Sequence, residues 1–261
     1  MNDKANGGDK PATVKTPQGS MFLYKQPEYL NREDHGDLGW TPPEKPFAFT
    51  REIMSVPLVA GEIASAQKHY PVVFSAKENS VPMAVVSVIK DRNMFVDADG
   101  KWEANCYIPS YLRRHPFAVA RGEGDQFAIV IDRACSGISK NPESPFFDGD
   151  KLTDKTQAIV DFCGQFEAER TRTRDFTTKL AELGLLTEQR ATHPGKDGEA
   201  RPIATFFAVD VEKLNALPGS ELESMHKSGF LSFIYAHLFS LENWNRLMGR
   251  SNAIIGQAGN S

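Results

Sequence analysis

Cysteine is scarce in this chain. Cys106, Cys135 and Cys163 are the three among 261 residues. An odd number at wide spacing builds neither a disulfide framework nor a zinc site, and a reducing compartment is the simple expectation. Long apolar runs are missing too. Mean hydropathy is −0.40, and no stretch approaches the roughly 20 apolar residues of a transmembrane helix. The beginning of the chain lacks the apolar segment of a secretory leader. A cytoplasmic location is therefore expected, with leaderless export to the cell surface as the alternative. Excess positive charge is also absent: 30 Lys and Arg stand against 34 Asp and Glu, a net −4. That speaks against a nucleic-acid binder, which needs a basic face. No HxH, HExxH or CxxC spacing occurs, so neither a metal nor another cofactor is expected. No fixed-period repeat is visible.

What is present is enough apolar material for a core, at 40% of residues. Residues 1–20 are Gly, Lys, Asp, Thr, Pro and Ser with little to bury, which predicts a disordered tail. Residues 251–261 read as a frayed end. Residues 21–250 are then expected to form one domain. From Met21 to Thr50, Pro27, Pro42, Pro43 and Pro46 exclude long helices, so an extended wrap with a helical turn near Asn31 is predicted. Ser55 as cap and Pro57 in the first turn suggest a helix over 57–69. Strands are expected at 72–74 and 82–89. Hairpins are expected at 93–96 with 101–108, around Asp97-Ala98-Asp99-Gly100, and at 117–121 with 126–132, around Gly122-Glu123-Gly124-Asp125. Between them, Pro109 to Arg114 suits a turn of helix stopped by Pro116.

Residues 133–151 read as loop. A long helix follows from Thr153 to Gly184, with Ile159, Phe162, Cys163, Phe166, Phe176, Leu180 and Leu183 on one face and a solvated charged stretch from Glu167 to Asp175 in its middle. Residues 187–201 read as a polar loop and 202–210 as a strand. Asp210 caps a short helix at 211–216, and Ser220 with Glu223 forms a capping box for the next, which Gly229 ends. Leu231, Ile234, Tyr235, Leu238, Leu241, Trp244 and Met248 recur at helical spacing and predict a final helix or a broken pair, with a strand over 230–236 as the alternative. Hairpins followed by helices make the fold class α+β: a mainly antiparallel sheet with a helical C-terminal third.

The segments Leu30-Asn31-Arg32-Glu33-Asp34-His35, Glu62, Tyr70-Pro71-Val72-Val73-Phe74, Asn93-Met94-Phe95-Val96-Asp97 and Asp99-Gly100-Lys101-Trp102 resemble the SapC family of bacterial proteins. The run Tyr107-Ile108-Pro109-Ser110-Tyr111-Leu112-Arg113-Arg114-His115-Pro116-Phe117 is the most specific, although His115 stands where an aromatic such as Tyr is expected. Val209-Asp210, Lys213-Leu214, Gly229, Ile234-Tyr235-Ala236-His237-Leu238 and Ser240-Leu241 complete the likeness. The resemblance implies an association with bacterial surface layers and supplies no catalytic residues.

The candidate chemistry is thin. His35, His115 and His237 with Glu62, Asp132 or Asp148 have ligand chemistry but no ligand spacing. Asp97-Ala98-Asp99-Gly100 with Glu103 echoes a calcium loop without its distant glutamate, and a hairpin turn accounts for it. Cys106 and Cys135 lack the surroundings of a nucleophile and read as small core hydrophobes. Gly195-Lys196-Asp197-Gly198 lacks the frame of a phosphate loop. The constellation worth following is Arg113-Arg114 with Trp102, Tyr107, Tyr111, His35 and Glu62, because guanidinium groups grip carboxylates and phosphates and aromatic rings offer faces. The structural reading of the same residues is an internal ion pair to Asp97, Asp132 or Glu62, with the rings in the core. Neighbouring residues on a helical turn point about 100° apart, so one arginine is expected to be buried and the other outward. Trp40, Trp244 and the phenylalanines are candidate anchors for a partner. The residues therefore predict a non-catalytic protein that binds a protein partner or a small anionic ligand, and the resemblance implies that it does so in connection with the cell surface or envelope. The alternative is an enzyme or enzyme accessory acting on a small anionic substrate at Arg113 and Arg114.

Overall fold

The computed structural model describes residues 15–121, 127–194 and 199–258. Along the chain the strands are β1 (Pro27–Tyr29), β2 (Gly39–Trp40), β3 (Ser55–Pro57), β4 (Val72–Phe74), β5 (Pro82–Val85), β6 (Phe117–Arg121) and β7 (Phe127–Asp132). The two-residue pieces β8 (Ile138–Ser139), β9 (Ser144–Pro145), β10 (Phe147–Asp148) and β11 (Lys151–Leu152) follow, then the long β12 (Leu186–Pro194) and β13 (Ala200–Val209). The helices are α1 (Arg32–His35), α2 (Ile63–Ala66), α3 (Ser110–Arg113), α4 (Asp154–Glu182), α5 (Val211–Asn215), α6 (Gly219–Lys227), α7 (Phe230–Ser240) and α8 (Asn243–Ala258). The class is α+β with antiparallel pairing throughout the sheets, as expected. Contacts gather into two compact units, residues 1–43 with 115–163 and residues 44–114 with 164–261.

In the first unit, β1, β7 and β6 form one sheet and β8, β2 and β9 another. Leu38, Phe117, Ile131, Ile138, Phe146 and Cys163 make its core. Gly39 in β2 is required by close approach, since a Cβ there would collide with the Ser144 carbonyl oxygen. Asp132 ends β7 and gathers the neighbouring chain. Its carboxylate accepts from Gln26 N at 2.8 Å, Lys25 N at 3.1 Å and Ala134 N at 3.2 Å, and lies 3.4 Å from His115 Nε2. Burial pushes this carboxyl up, but the bonds from His115, Gln26, Lys25 and Ala134 outweigh burial and hold it at about 2.

In the second unit the five-stranded sheet runs β12-β13-β4-β5-β3. α7 is fastened to it by buried polar atoms. The backbone N–H of Val209 donates to His237 Nε2 at 3.1 Å, so the ring carries its proton on Nδ1 and donates it to the Val72 carbonyl at 2.8 Å. Ser240 Oγ accepts from Val72 N at 2.9 Å, and Asn243 Nδ2 donates to Gln67 O at 2.6 Å and Tyr70 O at 3.2 Å. Phe74, Phe176, Phe230 and Phe233 fill the space around these contacts.

Several readings of the sequence change. Residues 57–69 are not one helix: Ser55 and Pro57 belong to β3, paired with β5, and the helix is the single turn α2 after a 3-10 turn at Ala60–Glu62. The hairpin over 93–108 shrinks to one bridge between Val96 and Trp102, because the Asp97 carboxylate caps the turn by accepting from Asp99 N and Lys101 N, and the chain leaves it in further turns. Of the expected polar loop 187–201, residues 187–194 belong to β12 and 200–201 to β13; a strand at the edge of a sheet tolerates polar residues because little of it must be buried. α6 begins at Gly219 after Pro218, with no side-chain cap, so the Ser220–Glu223 box does not form. Residues 251–258 continue α8, with Ser251 buried. At the other end, Lys15 O accepts from Tyr29 N at 3.0 Å and Pro17 is buried, so part of the expected tail touches the fold. Tip residues 122–125 and Gly195-Lys196-Asp197-Gly198 lie outside the described residues.

His237 yields a pH prediction. Burial lowers its pKa from 6.5 to about 4 against the opposing bond to Val72. Above pH 6.5 the ring is neutral in both folded and unfolded chains, and its contribution is complete. As pH falls from about 6.5 towards 4, the unfolded chain binds a proton that the folded chain refuses, and stability declines. Chemical denaturation across that range should show the decline, and His237→Gln should remove this part of it while lowering stability at neutral pH.

Candidate functional site

The most specific stretch of the sequence folds around one carboxylate. Glu62 ends its 3-10 turn with 7% exposure. Its Oε2 accepts from Val59 N at 3.0 Å, while Oε1 accepts from Ser110 N at 2.5 Å and from the Tyr107 hydroxyl at 2.7 Å. Ser110 begins α3, whose first N–H groups have no partner within the helix, and the Glu62 carboxylate meets that end. The Tyr107 phenol is raised above its ordinary range by burial and by the neighbouring Glu62 charge, with Arg113 opposing.

The two arginines part as expected. Arg113 is exposed; its Nε donates to Ile108 O at 3.0 Å and its Nη2 to the Tyr107 hydroxyl at 3.4 Å. Arg114 is 6% exposed. Its guanidinium lies 4.4 Å from the Tyr111 ring centre and 4.3 Å from that of Phe166, and Nη1 is 3.5 Å from Glu167 Oε1. Burial raises the Tyr111 phenol, against the pull of Arg114. The ion-pair partner is therefore Glu167 on α4, in place of the expected Asp97, Asp132 or Glu62. Glu62 is taken up by Tyr107 and Ser110, and Asp132 by His115 and three backbone donors. Glu167 opens the charged stretch that reads as solvated, yet its side chain is only 11% exposed; the face a long helix buries at that point depends on what packs there.

Trp102 belongs to the aromatic core. Its Nε1 donates to the Tyr70 hydroxyl at 3.0 Å, and its ring meets Phe95, Phe47 and Tyr70. The Tyr70 hydroxyl donates in turn to the Tyr107 carbonyl at 2.5 Å. Trp102 thus supports the segment that carries Tyr107. His35 falls in the first unit, buried, with Nε2 3.2 Å from Glu28 Oε2. So Glu62, Tyr107 and Arg113 form one chain of contacts, Arg114 and Tyr111 another, and neither includes His35. Burial raises the thiols of Cys106 and Cys135, the opposite of an activated nucleophile. Among the described residues no three of His, Cys, Asp and Glu assemble a metal ligand set.

Sequence reasoning missed the outer side of α7. Tyr235 and Phe239 are 47% and 65% exposed, with ring centres 6.5 Å apart, although both sit in a helix whose other side is core. The signal was available: Phe230 to Ser240 is apolar on nearly every side, more than one buried face can absorb. Beside them lies a cleft of about 570 Å³ lined by Val211, Leu238, Leu241, Trp244 and residues of β12 and β13. Trp244 is half-buried against Phe206, and its indole N–H is buried without a hydrogen-bond partner. Trp40, the other candidate anchor, is half-buried and packs edge-on to Phe117.

Arg114→Ala should destabilise the protein by about 1–3 kcal/mol, because it removes a guanidinium packed between Tyr111 and Phe166 and one of the two cations on the Glu167 carboxylate, which keeps Arg170 Nε at 2.6 Å. Arg113→Ala should leave the melting temperature unchanged. Thermal melts of the two variants check the assignment of roles.

The family model of SapC matches residues 30–247. No curated protein matches the chain, and no solved structure does.

Proposed function

The chain belongs to the SapC family, and on that premise we propose that it is a non-catalytic binding protein that receives a protein partner on the outer side of α7. The exposed pair Tyr235 and Phe239 carries this reading. Large aromatic side chains are costly to leave in water, and they are the residue type that anchors protein interfaces. Val211 and Leu238 extend the apolar surface into the neighbouring cleft, and Val211 is itself 49% exposed. The burial of Arg114 in an ion pair weighs on the same side, since it removes one of the two cations that chemistry on an anionic substrate would use. The family's link with surface layers supports seeking the partner at the cell envelope. Tyr235→Ser with Phe239→Ser should leave the melting temperature within a few degrees and abolish a complex that the unaltered protein retains from envelope and soluble fractions of its source cells. A complex equally retained by the double variant would reject this surface.

One observation favours a second reading, a small anionic ligand at Arg113. The guanidinium is exposed, and its direction is set by Ile108 O and by a Tyr107 hydroxyl that is itself held on buried Glu62. Such preorganisation lowers the entropy lost on binding a carboxylate or phosphate. Acetate and inorganic phosphate titrated against labelled protein should shift the signals of Tyr107 and Arg113 and leave Arg113→Ala unaffected. Equal shifts in both proteins would dismiss the site, and with it an enzymatic role centred there.

A further inference from the structure

We infer that two copies of this chain pair through the outer edges of β12, joining their five-stranded sheets across a two-fold axis at Gln189. Among the described residues β12 pairs with β13 alone and ends the sheet. It is nine residues long, longer than the edges that proteins usually leave open. Glu188, Gln189 and Arg190 are all exposed, so none of the described residues covers the middle of that edge.

The backbone shows which groups the edge offers. Asp210 N donates to Leu185 O, and Leu186 stands opposite Val209. Alternation along an antiparallel strand then turns residues 187, 189 and 191 towards β13 and leaves the N–H and C=O of 186, 188 and 190 pointing outward. A second β12 running antiparallel, with Gln189 opposite its own copy, brings the outward groups of Glu188 and Arg190 together as hydrogen-bonded pairs. The same register places Glu188 opposite Arg190 of the second copy and Arg190 opposite Glu188. Both side chains lie on one face, 4.0 Å apart within the strand, so the dimer closes a ring of four alternating charges.

Other registers fail for stated reasons. A slip of two residues one way sets Glu188 against Glu188; the other way sets Arg190 against Arg190, and like charges directly opposite are unfavourable. A slip of one residue pairs outward groups with groups already bonded to β13. The bulge between Ala191 and Thr192, and Pro194 beyond it, stop the pairing at the far end. The surface is self-complementary, as a two-fold contact requires.

Light scattering on the full chain over a concentration series to the millimolar range should give a mass rising towards twice 28.9 kDa. Glu188→Arg and Arg190→Glu, both at exposed positions, should each fold with unchanged circular dichroism and remain monomeric. Mixed in equal amounts they should pair with each other, because one edge is then wholly basic and the other wholly acidic. An unaltered protein that stays monomeric throughout, single variants that still dimerise, or a mixture that fails to pair would each overturn the inference.

Discussion

Backbone N–H and C=O groups that leave a short strand or a turn inside a protein still require partners, and in this chain buried side chains provide many of them. Most of the strands are only two to six residues long, so regular ladders satisfy a modest share of the backbone. Asp132 answers three N–H groups in the first unit. In the second, Glu62 answers Val59 and Ser110, His237 bridges Val209 and Val72, and Asn93 meets Thr50 O and Phe95 N. Each such bond adds about 1 kcal/mol net, whereas leaving a buried group unmatched costs about 1–3 kcal/mol. The penalty for loss exceeds the gain from formation, which makes these residues specifiers of the fold more than sources of its stability.

The same constraint explains why the charged residues near the most specific motif are largely architecture. A carboxylate that accepts two backbone donors and a phenol has little capacity left to act as a base. A guanidinium between two rings with a carboxylate beside it has been desolvated, and the low local polarity that strengthens its ion pair also fixes it in place. Function is therefore sought at groups that face solvent: the aromatic side of α7, the exposed Arg113, and the outer edge of β12.

These surfaces have different physical character. The α7 side offers apolar area, which binds with little directional demand. Arg113 offers one charge with a set direction. The β12 edge offers backbone groups whose spacing fixes register and side-chain charges whose signs select it. A chain with a net charge of only −4 has no global field to steer a partner, so local patterns of this kind must carry specificity.

Much of the fold is legible in the sequence where local chemistry decides it. Asn31 and Asp210 cap their helices through their own side chains, and the alternation in 117–121 and 127–132 forms its hairpin. α4 follows from apolar residues three and four apart, and the divergence of Arg113 and Arg114 follows from helix geometry. Tertiary contacts decided the rest. Ser55 and Pro57 carry the signature of a helix start, yet β5 recruits them into a strand. The polar run from Thr187 to Thr192 has no apolar pattern to mark it, yet it lies along β13 as an edge strand. Glu167 reads as a solvated residue and becomes the partner of Arg114 only because Tyr111 and Phe166 enclose that guanidinium. The sequence by itself determined where caps, turns and amphipathic faces fall, because those depend on residues within one or two turns of each other. Which carboxylate meets which cation, and which apolar side of α7 stays in water, depended on elements far apart in the chain, whose meeting no local spacing encodes.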